Sequence, residues 1–197
     1  MDENTSKTQI NKSAPSGEGP TLELVMDAQA IQKVIRRIAH EIIEKYDDLS
    51  RLVIAGIPTR GVEVAKRIVE AISESGSPLP ESGIVDVSMH RDDLSIRSRM
   101  TAIEPTHLPL DLDGRPLLLV DDVLFTGRSC RAAMDAVASY GRPSLIELAA
   151  LVDRGHRELP IFANYVGKVL PTKREQKIRV RFQSCDRVED SVNLVTP

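Results

Sequence analysis

Short apolar runs and helical apolar stripes alternate along the chain from about residue 21 onward. The runs have the length and content of buried strands in a parallel sheet, with a polar loop after each. They are Leu52–Gly56, Gly83–Met89, Leu117–Val120 and Ser144–Val152. This alternation predicts an α/β fold: a parallel, Rossmann-like sheet with helices on both faces and its ligand site at the carboxyl ends of the strands.

Helices are predicted where apolar residues recur three and four positions apart. The first runs from Ala28 to Lys45, after a plausible N-cap at Asp27. Its buried stripe consists of Ile31, Ile35, Ile38 and Ile42. A second helix is expected from Val62 to about Ser73, and a third after Ser129 until Gly141 ends it.

Other segments do not continue the alternation. Residues 1–20 are polar and are expected to form a disordered tail, because they bury too little apolar surface to offset the entropy of ordering. A domain is expected over 21–183, in which 21–26 and about 153–183 build a small hood over the sheet edge. Within the hood, Lys177–Phe182 alternates like a half-exposed strand. Residues 184–197 are expected to be a loosely held end.

Composition sets broad limits. A chain of 197 residues with 41% hydrophobic and 28% charged residues suits one soluble domain. The net charge of −3 gives no whole-chain indication of nucleic-acid binding, so any basic surface must be local. Cys130 and Cys185 lie far apart without metal-ligand neighbours and are predicted to be free thiols. Without an apolar leader or a membrane-length apolar segment, a cytoplasmic location is expected.

The strongest chemical signal is the stretch Leu117–Ala133, LLLVDDVLFTGRSCRAA. It predicts a strand, an acidic turn at Asp121-Asp122, a short loop and a helix start. The amides of Thr126–Ser129 open that helix unpaired, so they can hold a phosphate. The two carboxylates repel phosphate and must face sugar hydroxyls or a substrate-borne metal ion. The spacing indicates that the site binds a phosphorylated sugar. The alternative is that Asp121-Asp122 merely ends a strand and that Thr126 merely caps a helix.

Two further observations limit the chemistry. The G-x-G-x-x-G fingerprint and the Walker A sequence are both absent, which argues against NAD and ATP sites. The stretch His90–Arg115 is charged and aperiodic, and a connection of this length predicts a lid, a binding loop or disorder. Its arginines Arg91, Arg97 and Arg99 are candidates for contacting phosphate.

Three strings carry a family resemblance. VDDVLFTGRS resembles the phosphoribosyl-diphosphate (PRPP) signature of the type I phosphoribosyltransferases. LVDRGHRELPI and NYVGKVLPT resemble one branch, the PyrR-type pyrimidine operon regulators with uracil phosphoribosyltransferase activity. The resemblance covers about Leu22–Arg181 and implies the reaction of uracil with PRPP to give UMP and diphosphate. It also implies Mg²⁺ carried by PRPP, UMP-dependent binding of leader RNA, and a homodimer or higher homo-oligomer.

The resemblance also assigns site residues. Asp121 and Asp122 are expected to hold the ribose hydroxyls, and Thr59 with Arg60 to meet the diphosphate. Arg99 is expected to reach PRPP from the lid. The rest of the PRPP site is Val123, Leu124, Phe125, Thr126, Gly127, Arg128 and Ser129. Backbone groups near Arg154 and Val166 are expected to meet the base, although no side chain in the hood specifies uracil.

The RNA-binding set implied by the resemblance is Arg36, His40, Arg157 and Lys168, with Arg37 and Lys173 as possible additions. The chain departs from the family pattern at Phe162, where Arg is common, and at Arg36, where Thr is usual. These departures bear on RNA recognition more than on catalysis.

Two alternatives stay open. One is a salvage phosphoribosyltransferase for another base without a regulatory role; the other is that the basic helix face is simply solvated.

Overall fold

The structure is a computed structural model that describes residues 20–88 and 106–197. The expected tail up to residue 19 and the lid arginines Arg91, Arg97 and Arg99 lie outside these ranges. The strands are β1 (Thr21–Met26), β2 (Val53–Gly56), β3 (Glu81–Ile84), β4 (Pro116–Leu124), β5 (Leu145–Asp153), β6 (Tyr165–Val169), β7 (Lys177–Arg181) and β8 (Ser191–Thr196). The α-helices are α1 (Ala28–Lys45), α2 (Arg60–Glu74), α3 (Arg128–Val137) and α4 (Gln183–Asp186).

The main sheet is parallel, with strand order β3-β2-β4-β5-β6. Because side chains alternate along a strand, the central strand β4 contributes to two cores. Leu118 and Val120 pack with the isoleucines of α1 and α2, whereas Leu117 and Leu119 pack with the alanines of α3. The predicted α/β fold, buried on both faces, is confirmed, and α1 has the predicted bounds.

A second, antiparallel sheet of strand order β1-β8-β7 forms the hood. The expectation of a loosely held C-terminal end was wrong for Ser191–Thr196, because this segment is the central strand of the hood sheet. Val192 is fully buried there and joins Val180 and Phe182 in the core. The apolar positions of β8 therefore find partners on both neighbouring strands, which the local pattern did not reveal.

Two more expectations about strands need correction. The segment Tyr165–Val169, assigned to the hood, is the outer strand of the main sheet, where it pairs in parallel with β5. Strand β4 also continues past Val120 to Leu124, so Asp121 and Asp122 lie within a strand rather than in a turn. The ladder with β5 extends to Leu124↔Asp153 and keeps this acidic section extended.

The described part of the predicted lid, from Thr106 to Arg115, packs against the sheet. His107 forms a β-bridge with Ile84, and Leu108 and Leu112 are buried. Arg115 is 8% exposed and binds Glu81 and the carbonyl of Arg51. Residues 106–115 therefore belong to the packed fold, and the lid stays a prediction for the earlier part of the stretch, which lies outside the described residues. None of the helices in residues 20–88 and 106–197 is long and apolar enough to cross a membrane.

Candidate active site

Two loops meet at the carboxyl ends of the adjacent strands β2 and β4. The amide of Ile57 donates to the carbonyl of Val120 at 2.9 Å, which ties the β2 loop to β4. A Cβ on Gly61 would lie 2.5 Å from that same carbonyl oxygen, so only glycine lets α2 start this close to the strand. The peptide bond between Pro58 and Thr59 is cis.

The helices that leave these loops begin without a hydrogen bond from their N-cap side chains, although at α3 the amide of Arg128 lies 3.3 Å from Thr126 Oγ1. Thr59 is the N-cap of α2, and Gly127, with φ of +92°, is the N-cap of α3; neither helix start receives a capping hydrogen bond from its N-cap side chain. Uncapped amides at a helix start attract anions. The site therefore offers two anion-binding helix starts on either side of β4.

Asp121 and Asp122 lie between these helix starts. Burial raises the pKa of Asp122, against the opposing effects of its hydrogen bond with Asp121 and the positive charge of Arg60. Burial raises the pKa of the Cys130 thiol to about 12, and the charge of Asp121 adds to this. The pair therefore has Arg60 on one side and an unreactive thiol on the other. In residues 20–88 and 106–197, His, Cys, Asp and Glu form no group of three that could hold a metal ion.

A cavity of about 330 Å³ lies beside the loop between β4 and α3. Its lining is Asp121, Val123, Leu124, Phe125, Thr126, Gly127, Arg128, Ser129, Cys130 and Glu158. The structure thus brings together around one cavity all the residues that the sequence assigned to the phosphate loop. We call Leu124–Ser129 the phosphate loop below.

Arg60, predicted at the diphosphate, is held by Asp186 of α4. Its Nη2 donates to Asp186 Oδ1 at 2.5 Å and its Nε to Oδ2 at 3.2 Å. Burial alone would raise the pKa of Asp186, but the hydrogen bonds from Arg60 outweigh it and the pKa lies below its ordinary value. No sequence pattern pointed to Asp186, because α4 is a single short turn that follows β7.

The predicted base-binding groups are already engaged. The backbone amide of Arg154 donates to the carbonyl of Leu124 at 3.1 Å, and the carbonyl of Val166 accepts from Arg37 at 2.7 Å. The buried guanidinium of Arg154 lies 4.1 Å from the ring centroid of Phe125 and donates to Thr172 and the carbonyl of Lys173. Arg154 therefore supports the phosphate loop, and the expected contact of nearby backbone groups with the base stays a prediction.

The predicted RNA-binding residues do not form one set. Arg36 and His40 are exposed on α1, and Lys168 is exposed on β6 with its Nζ 3.4 Å from the carbonyl of Val25. Arg36 leans toward α2, where Glu74 is 3.6 Å away. Arg157 is turned inward: it donates to the carbonyl of Phe125 at 2.7 Å and to Asp153 at 2.5 Å. Its guanidinium is engaged within the protein, and contact of Arg157 with RNA stays a prediction.

Comparisons with known proteins identify close relatives. Residues 22–181 match the model of the phosphoribosyl transferase domain. The chain is 46% identical over 171 residues to the bifunctional protein PyrR of Chloroflexus aurantiacus, covering 86% of this chain and 93% of that protein. It is 46% identical over 170 residues to the bifunctional protein PyrR of Clostridium acetobutylicum, covering 86% and 95%.

Solved structures agree on the fold. A hypoxanthine-guanine phosphoribosyltransferase of Bacillus anthracis superposes with a TM-score of 0.64 at 13% identity, over 90% of this chain and 100% of that one. The hypoxanthine phosphoribosyltransferase of Trypanosoma cruzi gives a TM-score of 0.64 at 16% identity, over 89% and 97%. At these identities the likeness concerns the fold alone.

Proposed function

The chain belongs to the phosphoribosyl transferase family and to its PyrR branch, and from this membership we propose that it converts uracil and PRPP to UMP and diphosphate. The observation that carries the proposal is the placement of Asp121 and Asp122 between the starts of α2 and α3, neither of which is capped by its N-cap side chain. PRPP has one phosphate and one diphosphate on opposite sides of a ribose ring. Two anion sites flanking a carboxylate pair match that distribution of charge.

The phosphate loop is proposed to bind the 5′ phosphate. The amides of Thr126–Ser129 supply donors at the start of α3, and the hydroxyls of Thr126 and Ser129 are close by in sequence. Glycine is required at position 127, because its φ of +92° is rarely adopted by L side chains and a Cβ there would lie 3.3 Å from the side chain of Ile161. The phosphate contact fixes the sugar without taking part in bond cleavage.

Cleavage of the bond from ribose C1 to diphosphate leaves positive charge on the ring, since the electron pair departs with the leaving oxygen. Asp121 and Asp122 are proposed to hold the ring hydroxyls and to stabilise that charge. Arg60 and the amides that start α2 are proposed to meet the departing diphosphate. Uracil N1 then forms the new bond at C1, and its proton passes to the departing diphosphate or to solvent water.

Mg²⁺ fits this site as an ion that arrives with the substrate. Asp121 and Asp122 are oxygen donors of the type that Mg²⁺ prefers, but they are too few to form an all-protein site. When bound, Mg²⁺ supplies charge neutralisation at the diphosphate oxygens. The protein's own contribution is to position the sugar and to keep both carboxylates beside it.

We further propose UMP-dependent binding of leader RNA from pyrimidine genes, with a homodimer or higher homo-oligomer as the active form. Arg36, His40 and Lys168 supply exposed donors, and Phe162 presents an exposed ring, 74% accessible, that suits stacking on an unpaired base. Helix α1 and strand β6 are adjacent, because Arg37 donates to the carbonyls of Val166 and Gly167. His40 and Lys168 therefore lie on neighbouring elements.

Turnover of labelled PRPP with uracil, orotate, hypoxanthine and xanthine tests the enzymatic proposal. We expect UMP formation to dominate. A hypoxanthine or xanthine product in the absence of UMP would instead identify a salvage enzyme for purines. The variant Asp121→Asn plus Asp122→Asn should keep its fold and lose roughly a hundredfold in kcat per residue. If that variant turns over uracil within a few-fold of wild type, the carboxylates are not the ribose site.

A further inference from the structure

Consecutive carbonyl groups of the phosphate loop are all hydrogen-bonded within the protein. The carbonyl of Leu124 accepts from the amide of Arg154, and that of Phe125 accepts from Arg157 Nη1 at 2.7 Å. The carbonyl of Thr126 accepts from the amides of Glu158 and Leu159 at 3.0 and 3.2 Å. The carbonyl of Gly127 accepts from the amide of Arg131 at 3.0 Å.

These bonds decide where the loop amides point. In a trans peptide the carbonyl of one residue and the N–H of the next point in opposite directions. Because the carbonyls from Leu124 to Gly127 are bonded within the protein, they fix the opposite direction for the N–H groups from Phe125 to Arg128, in the loop that lines the cavity. The N–H of Arg128 lies 3.3 Å from Thr126 Oγ1. An anion-binding loop needs this orientation, because its donors are backbone amides.

Arg157 holds the centre of this arrangement and is itself fixed in place. Its Nη2 donates to Asp153 Oδ2 at 2.5 Å, its Nε to the carbonyl of Ile161 at 2.8 Å, and its Nη1 lies 3.3 Å from the carbonyl of Gly155. The chain turns sharply between Asp153 and Arg157, with φ of +77° at Gly155 and +61° at His156. This turn brings the guanidinium back beneath the loop.

We propose that Arg157 is a positioning residue for the 5′ phosphate site and acts by clamping the carbonyls of Leu124 and Phe125. The inference rests on the proposed function, since it names the residue that shapes the PRPP cradle. Lysine cannot replace it, because an ammonium lacks the planar fork that reaches two loop carbonyls, Ile161 and Asp153 at once. The guanidinium of Arg157 is hydrogen-bonded within the protein, so its proposed role at the phosphate loop does not involve contact with RNA.

The test uses ribose 5-phosphate and inorganic pyrophosphate as separate probes, measured by titration calorimetry on the full chain. Arg157→Lys should weaken ribose 5-phosphate binding by about tenfold to a hundredfold, the loss expected when hydrogen bonds to a charged group are misaligned. Pyrophosphate binding should stay at the wild-type value, because the start of α2 is untouched. In turnover assays KM for PRPP should rise by more than kcat falls.

Arg115→Lys is the matched control. Arg115 is also a buried arginine that holds a backbone carbonyl and two carboxylates, but it lies at the amino end of β4, away from the cavity. It should lose stability as Arg157→Lys does and bind ribose 5-phosphate like wild type. If both variants lose the ligand equally, or if Arg157→Lys binds it within twofold of wild type, the positioning role is refuted.

Two measurements keep the outcome decisive. If Arg157→Lys does not fold, Asp153→Asn replaces it, because this variant keeps the guanidinium and removes its carboxylate partner. We expect Asp153→Asn to weaken ribose 5-phosphate binding by less than the tenfold to hundredfold expected of Arg157→Lys. Wild-type affinity in Asp153→Asn would count against the clamp. If the wild type binds neither probe, the proposed function fails. The clamp is then judged by amide exchange at Glu158 and Leu159, which must accelerate in Arg157→Lys if the loop carbonyls are released.

Discussion

Arg60 and Asp186 form a two-pronged ion pair at the mouth of the site, with Nη2 2.5 Å from Oδ1 and Nε 3.2 Å from Oδ2. The pair joins the loop after β2 to the short helix α4, so the C-terminal region shapes a loop more than a hundred residues away. It also means that the arginine proposed to meet diphosphate is partly neutralised by a neighbouring carboxylate.

This pairing predicts that Asp186→Asn tightens binding of inorganic pyrophosphate. Asparagine still accepts one hydrogen bond from Arg60 and keeps it in place, while one negative charge beside the anion site is removed. We expect a gain of roughly threefold to tenfold at low salt, decreasing as salt is added. Asp190→Asn is the control, because Asp190 pairs with Arg67 instead. Equal effects of both substitutions would count against a specific role of Asp186.

The raised pKa of Asp122 predicts a trade-off between stability and activity. Because burial raises its folded-state pKa, the stability contribution of Asp122 is fully present below the unfolded-state pKa and is lost as pH rises through the folded-state value. Asp122→Asn should therefore unfold at higher urea than wild type at pH 7, by about 1.4 kcal/mol for each unit of pKa shift. The difference should vanish near pH 3, and turnover should still be lost. A variant less stable than wild type at pH 7 would refute this reasoning.

Gly61 predicts a steric requirement at the start of α2. A methyl group there meets the carbonyl oxygen of Val120 at 2.5 Å and the Cα of Asp121 at 3.1 Å, and both are backbone atoms of a buried strand that cannot turn aside. Gly61→Ala should cost about 1–3 kcal/mol in the free energy of unfolding. Ser73→Ala, on an exposed position of the same helix, should change it by less than about 0.5 kcal/mol. Denaturant unfolding of both variants measures the contrast.

The RNA proposal predicts distinct effects of charge and stacking. Lys168→Ala should make the slope of log affinity against log salt shallower by about 0.7, the contribution of one phosphate contact to a single strand. Phe162→Ala should weaken binding of a pyrimidine leader hairpin without changing the slope, because stacking releases no counterions. Lys66→Ala, which changes an exposed lysine of α2 paired with Glu70, is the control. Absence of binding above the non-specific level would remove the regulatory half of the proposal.

Local pattern alone determined much of this protein. The isoleucine stripe of α1 determines that one face of this helix is buried. The continuous apolar run of β4 determines that both faces of this strand are buried. The strand–loop–helix unit that contains Leu124–Ser129 was also predicted from sequence, because it is built from neighbouring residues, and its binding of phosphate stays a prediction. Asp121 and Asp122 belong to the same unit.

Only the tertiary structure decided which distant groups support that unit. Arg157 reads in sequence as a surface cation, and its inward turn depends on two consecutive left-handed residues and on carbonyls some thirty residues earlier. Asp186 and the strand Ser191–Thr196 find their partners across the fold in the same way. Hydrogen bonds and ion pairs between remote segments leave no periodic trace in the sequence, because their energy depends on distances that exist only after the chain has folded.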